Sequence, residues 1–176
     1  MKNNKMIKYP LILGTIALIA GLLLALVYNV TAPVIEKNKN KRENAIVLEM
    51  FGESAKISDI SDSLTDEEKE KGIYAVLKVV SGGTYYVYKV NVADAFDGDE
   101  SSFVVAISSS GAISKLKFTS TGDSYASKYA SDSYVNSIKG KNGLSTSSDA
   151  VSGATKTGKP IIESINAAIA HQGGVN

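Results

Sequence analysis

The sequence predicts an α+β protein: an N-terminal transmembrane helix and helical stalk, followed by a small domain of antiparallel hairpins packed with helices. Three observations carry this. Tyr9 to Tyr28 is an uncharged apolar run. Between Ile73 and Phe118 short apolar segments alternate with Ser/Gly turns, the signature of hairpins. After Pro160 the apolar residues change to helical spacing.

Lys2, Lys5 and Lys8 precede the apolar run. About 20 apolar residues at ~1.5 Å rise cross a hydrocarbon core of ~30 Å, so residues 9–28 read as a transmembrane helix and 1–8 as a cytoplasmic tail. Tyr9 and Tyr28 stand where interfacial aromatics belong. A cleaved signal peptide is the rival reading. The run exceeds an ordinary signal-peptide core, and Pro33 directly follows the small residues Val30, Thr31 and Ala32. Basic residues flank both ends of the span and do not fix its direction. Long C-terminal domains translocate largely regardless of charge, and Lys8 abuts the span, so the C-terminal domain is expected on the extracytoplasmic side. The chain thus reads as a single-pass protein of the cell membrane, in contact with lipid.

Residues 29–52 read as a stalk helix. Ala45, Leu48 and Phe51 recur at helical spacing, as do Ile46 and Met50, and Gly52 ends the pattern. Residues 53–176 form the extracytoplasmic domain. Its first part is polar, with a charged turn or two over residues 65–71. Ile73 to Val80, Thr84 to Val92, Phe103 to Ile107 and Ala112 to Phe118 predict four strands in two hairpins. In the second, Tyr85, Val87 and Lys89 share one face, and Tyr86, Tyr88, Val90 and Val92 the other. Asp94, Asp97, Asp99 and Glu100 form an acidic loop whose spacing is not that of an EF-hand. Asp123 to Ala130 predicts a short helix with Tyr125 and Tyr129 on one side, and Tyr134 to Ile138 suits either strand or helix. The tyrosines are expected to pack on the sheet, with a minority reading in which one flanks a flat cofactor ring. Pro160 suits the first turn of a final helix, with Ile161, Ile165, Ala168 and Ile169 on its buried face.

Composition narrows the chemistry. Nineteen basic and 18 acidic residues give no nucleic-acid footprint. The chain has no cysteine, which excludes disulfides, thiolate metal sites and iron–sulfur clusters. Its one histidine, His171, lies near a glycine-rich end, read as a frayed tail unsuited to catalysis. Redox work would need a borrowed organic cofactor. Whether the chain is an enzyme on its own stays open.

The chemical signal is Asp149-Ala-Val-Ser-Gly-Ala-Thr155 followed by Lys156 and Thr157. Ser152, Gly153 and Ala154 have little bulk and let another molecule approach the backbone. Thr155 presents a hydroxyl at the start of a helix, where N–H groups favour phosphate, and Lys156 and Lys159 add positive charge. Taken alone, the same residues are also a turn leading into a helix.

This stretch resembles the flavinylation motif D-x-[S/T]-G-A-[S/T] of FMN-binding domains, whose last hydroxyl carries FMN through a phosphoester. The layout resembles the G subunit of the Rnf electron-transport complex and, over less of its length, the C subunit of the sodium-translocating NADH:quinone reductase. Asn29-Val-Thr-Ala-Pro-Val-Ile35 and Arg42-Glu-Asn-Ala45 resemble the start of that G subunit. The resemblance implies FMN on Thr155, a loop of Ser152, Gly153 and Ala154 read by the modifying enzyme, and Asp149 shaping that loop or assisting its recognition. It implies a flavin transferase using FAD, and further membrane subunits as partners. It also implies a place in an ion-translocating ferredoxin:NAD oxidoreductase. Where the family carries E-T-P-G-L-G, this chain reads Thr119-Ser-Thr-Gly-Asp-Ser124. That departure suits an alternative, a stand-alone flavinylated carrier of an extracellular electron-transfer chain. A non-redox anchored interaction domain is the third reading.

Overall fold

The computed structural model describes residues 4–93 and 99–175, the side chains of 4–8 and 33–43 excepted. Helix α1 runs over Asn4–Phe51. The chain divides into two compact units, Met1–Arg42 and Glu43–Asn176. In the first, Tyr9–Ala32 is a 24-residue helix of mean hydropathy 2.6, long and apolar enough to cross a membrane, with none of it buried. Thr15 and Thr31 donate their hydroxyls to the carbonyls of Leu11 and Val27, so neither polar side chain leaves a hydrogen-bonding group open on the apolar surface.

The second unit is built on a five-stranded antiparallel meander in the order β1 (Lys56–Asp59), β2 (Ile73–Val80), β3 (Thr84–Ala93), β4 (Glu100–Ser108), β5 (Ile113–Ser120). The sequence predicts four strands; the fifth, β1, is a short edge strand pairing Lys56–Asp59 with Leu77–Val80. Four residues with one apolar side chain, Ile57, carry no readable alternation; backbone pairing with β2 and the packing of Ile57 on the sheet's α1 side make this strand. A slip in register between Ile73 and Ala75 turns Ile73 and Val76 to the same face.

Both faces of the sheet are covered, which explains why Phe103 to Ile107 is apolar without a break. On one face Tyr86, Tyr88, Val90, Phe103, Val105 and Ile107 pack with the C-terminal helices. On the other, Leu77, Val79, Val87, Val104 and Ala106 pack with the end of α1. The division of β3 into its two faces is the one the alternation predicts. Of the apolar residues read at helical spacing at the end of α1, Ile46, Met50 and Phe51 pack around the fully buried Val47, and Ala45 is exposed. Lys89, on the α1 side of the sheet, is buried and donates to Asn44 at 2.9 Å.

The charged run is α2 (Asp66–Glu70), started by a capping box between Thr65 and Glu68. Two short helices follow the sheet, α3 (Ala126–Tyr129) and α4 (Asp132–Ile138). Tyr134 to Ile138 is therefore helical, with Ser131 capping at the Tyr134 N–H. Tyr129 is fully buried and Tyr125, the N-cap of α3, is exposed. The last helix, α5 (Thr155–Gly174), buries Ile161, Ile165 and Ala168 as expected, with Ile169 partly buried.

Two further expectations are corrected. Pro160 lies inside α5, its sixth residue, because the helix starts at Thr155. His171 is not in a frayed tail: α5 continues to Gly174, and the ring is buried between the Tyr88 hydroxyl at Nδ1 (3.0 Å) and the Ser63 carbonyl at Nε2 (3.1 Å). Tyr88 donates to Nδ1 and Nε2–H donates to Ser63, which makes this a satisfied core histidine. Of the acidic loop, Asp94 and Asp97 lie outside the described residues. Among the described residues no group of three His, Asp or Glu side chains is placed to hold a metal ion.

Candidate functional site

The residues around the start of α5 are held by a few side chains that converge from distant parts of the sequence. Asp149 comes first. Its carboxylate accepts from the Lys141 ammonium and from the Ser145 N–H at 2.8 Å. These donors, Lys141 foremost, hold the Asp149 carboxyl below its ordinary range. Asn166 on α5 ties in the same approach from the other side, accepting from the Leu144 N–H and donating to the Leu144 carbonyl, both at 2.8 Å.

Val151 to Ala154 then forms a turn closed by the Ala154 N–H on the Val151 carbonyl at 2.9 Å. Gly153 sits at φ +74°, a left-handed conformation that side chains other than glycine's adopt at a cost. Beneath the turn lies Tyr129, fully buried. Its hydroxyl accepts from the Val151 N–H at 2.9 Å and donates to the Ala154 carbonyl at 3.2 Å. One phenol thus clamps both ends of the turn. Burial pushes the Tyr129 hydroxyl above its ordinary range, against the Val151 N–H, so it stays a neutral donor.

Room for that phenol comes from Gly158. A Cβ built there would lie 1.7 Å from the Tyr129 Oη and 2.1 Å from its Cζ. Gly158 is therefore needed for close approach. Its own N–H donates to the Ala154 carbonyl at 2.9 Å, which receives the Tyr129 hydroxyl as well. Thr157 adds the third fastening, donating its buried hydroxyl to Asp123 at 3.2 Å. The other Asp123 oxygen accepts from the Ala126 N–H and starts α3.

These fastenings sort the residues singled out in the sequence. Ser152, Gly153, Thr155 and Lys156 are exposed, whereas Ala154 and Thr157 are buried and face the protein. Asp149 belongs to the approach to the turn. Thr155 is the first residue of a 20-residue helix, and its side chain faces solvent. The Lys128 ammonium lies 3.7 Å from where a Gly153 Cβ would be, adding a cation beside the turn. Tyr129, Asn166, Asp123 and Lys128 are the contributors that sequence reasoning misses. The one signal for them is a glycine, Gly158, inside a helical pattern, which marks close approach without naming what approaches.

The arrangement presents a hydroxyl on a rigid mount, next to small exposed residues, backbone N–H groups and lysines. It suits a phosphate ester, whose charge the helix start and the lysines favour. The one histidine is buried at the other end of α5 from Thr155. Residues 98–170 match the family model of the FMN-binding domain, and residues 1–50 match that of the RnfG N-terminal region. Among curated proteins nothing matches the chain.

Proposed function

We propose that this chain, which belongs to the RnfG-like FMN-binding proteins, carries FMN covalently on Thr155 and relays electrons in an Rnf-type membrane complex. The observation that supports the attachment most is the exposed Thr155 side chain at the head of α5. It follows a turn fixed at both ends by Tyr129, inside the segment that matches the FMN-binding domain. A weak nucleophile on a fixed and accessible mount suits modification by another protein. The N-terminal match and the apolar helix Tyr9–Ala32 support a membrane-anchored subunit of a multi-subunit complex.

Attachment joins the Thr155 Oγ to the FMN phosphate of an FAD donor. AMP leaves, and the hydroxyl proton passes to a base of the flavin transferase. The fit of the phosphoester rests on Ser152 and Gly153, which give it space, and on Lys128 and Lys156, which offset its charge. Bound FMN supplies electron transfer that no side chain here can perform. The protein holds the turn still and keeps the tether at the domain surface. With the N-terminus cytoplasmic, electrons would pass between partner centres at the outer membrane face, coupled to ion translocation by the whole complex.

A stand-alone flavinylated carrier shares the same attachment chemistry. It is favoured by the replacement of E-T-P-G-L-G with Thr119 to Ser124. The two differ in partners, so detergent-solubilised protein either co-purifies with further membrane subunits or comes alone.

The attachment is tested by co-expression with a flavin transferase, then a denaturing gel under ultraviolet light and intact mass. The wild-type band is expected to fluoresce and to weigh more by FMN less one water, and Thr155→Val to be dark. A dark wild-type band of unshifted mass leaves only the non-redox reading.

A further inference from the structure

The short helices α3 and α4 and the turn before α5 border a cleft of about 350 Å³, lined by Lys128, Ser131, Ser133, Tyr134, Ser137 and Val151. That volume lies within the range of small-molecule sites. The cleft adjoins the tethering point. Val151 lines it and also begins the turn that the Ala154 N–H closes. Lys128 lines it and places its ammonium 3.7 Å from the Cβ position of Gly153. Gly153 stands two residues before Thr155, a stretch of chain that spans at most ~7 Å. A phosphate and ribityl chain on Thr155 bridges that span, so a tethered ring reaches the cleft.

One group in the cleft wall lacks a partner. Among the described residues, the Tyr134 hydroxyl is the only buried side-chain polar atom without a hydrogen bond. The groups around it are already engaged. The Tyr134 ring meets Tyr129 edge to face, with centroids 4.8 Å apart and planes at 74°. The Tyr129 hydroxyl serves Val151 and Ala154, and the Asp149 carboxylate serves Lys141 and Ser145. Ser131 donates to the Lys128 carbonyl and Ser137 to the Tyr134 carbonyl. Burial pushes the Tyr134 hydroxyl above its ordinary range, with Tyr129 and Asp149 adding to the shift, so it is a neutral donor. A buried phenol ordinarily finds a partner, and an orphan in a cleft wall points to one from outside the chain.

The chemistry of the cleft selects the ligand. Tyr134 and Val151 supply apolar wall, and the serines and Lys128 a polar rim. A flat heteroaromatic ring with apolar faces and carbonyl acceptors along one edge matches both. We propose that this cleft receives the isoalloxazine ring of the flavin tethered at Thr155, with the Tyr134 hydroxyl donating to an acceptor on the ring's polar edge. This rests on the attachment at Thr155. It gives the ring a place on the α4 side of the turn and makes Tyr134 a ligand-binding residue.

The test compares wild type and Tyr134→Phe as full-length protein in detergent, each unmodified and flavinylated, by thermal unfolding and visible circular dichroism. Unmodified Tyr134→Phe is expected to melt at or above unmodified wild type, because it loses a hydroxyl that has no bond. Flavinylation is expected to raise the melting temperature of wild type by several degrees and that of Tyr134→Phe by clearly less. The visible dichroism band of the held ring is expected in wild type and weakened in Tyr134→Phe. A merely structural hydroxyl would move the unmodified and flavinylated forms alike. An equal rise on flavinylation in the two chains, or the same dichroism band in both, overturns the proposal. Intact mass shows that each flavinylated sample carries FMN less water. A wild-type chain that gains no mass overturns the attachment, and the ring site with it, so the two failures are told apart.

Discussion

Gly158→Ala sets two effects against each other, and the structure says which wins. Judged as a helix substitution it should stabilise, because alanine exceeds glycine in helix propensity by about 1 kcal/mol. Judged in place it should not. The new methyl would lie 1.7 Å from the Tyr129 Oη, 2.1 Å from Cζ and 2.8 Å from Cε1, so the whole phenol edge must move. Tyr129 is fully buried and cannot swing into solvent without leaving the core. Overpacking of this kind costs about 1–3 kcal/mol. Moving the hydroxyl also loses its bonds to Val151 and Ala154, at about 1 kcal/mol each. Setting the propensity gain against these leaves a net loss of about 2–4 kcal/mol, where propensity alone predicts a gain. Urea unfolding of the full chain in detergent, followed by tyrosine fluorescence, reads the sign directly. Tyr129→Leu in the same chain removes the colliding atoms, so the double variant should be less destabilised than the two single losses added. Gly158→Ala more stable than wild type would refute the reasoning, and with it the role of Tyr129 as clamp of the turn.

Other outcomes follow from the same contacts. Asp149→Asn should cost about 1 kcal/mol at pH 7, where the charged carboxylate takes the Lys141 and Ser145 donors. The folded Asp149 titrates below its ordinary value of 3.8, so its stabilisation is complete well above that value and is lost as pH falls through the folded one. The melting temperatures of wild type and Asp149→Asn should therefore converge on acidification below pH 3.8. A gap that stays constant into that range would contradict the assignment. Tyr88→Phe removes the donor to buried His171 Nδ1 and should cost about 1–3 kcal/mol in thermal unfolding, with native flavin emission unchanged.

What the sequence discloses depends on whether a feature is periodic. The four longer strands, the two faces of β3 and the core of α5 are repeated patterns, and each is where the alternation or helical spacing puts it. Edge strand β1 is too short for a pattern and is held by backbone pairing with β2. At the end of α1 several apolar side chains lie close together, so helical spacing finds Ile46, Met50 and Phe51 while only packing selects Val47 as the buried centre. At the site, the motif from Asp149 to Thr157 is legible as small residues leading to a hydroxyl. What holds it is not: Tyr129, Asp123 and Asn166 fasten the turn and its two flanks from far along the chain, each through one or two hydrogen bonds that leave no spacing to read. The burial of His171 is illegible for the same reason, since its partners Tyr88 and Ser63 are distant in sequence.

The central claim is the bond at Thr155, and intact mass after co-expression with a flavin transferase tests it most directly. Wild type should gain the mass of FMN less one water, peptide mapping should place that gain on Thr155, and Thr155→Val should gain none while keeping its fold. A wild-type chain of unchanged mass, or an equal gain in Thr155→Val, would contradict the account.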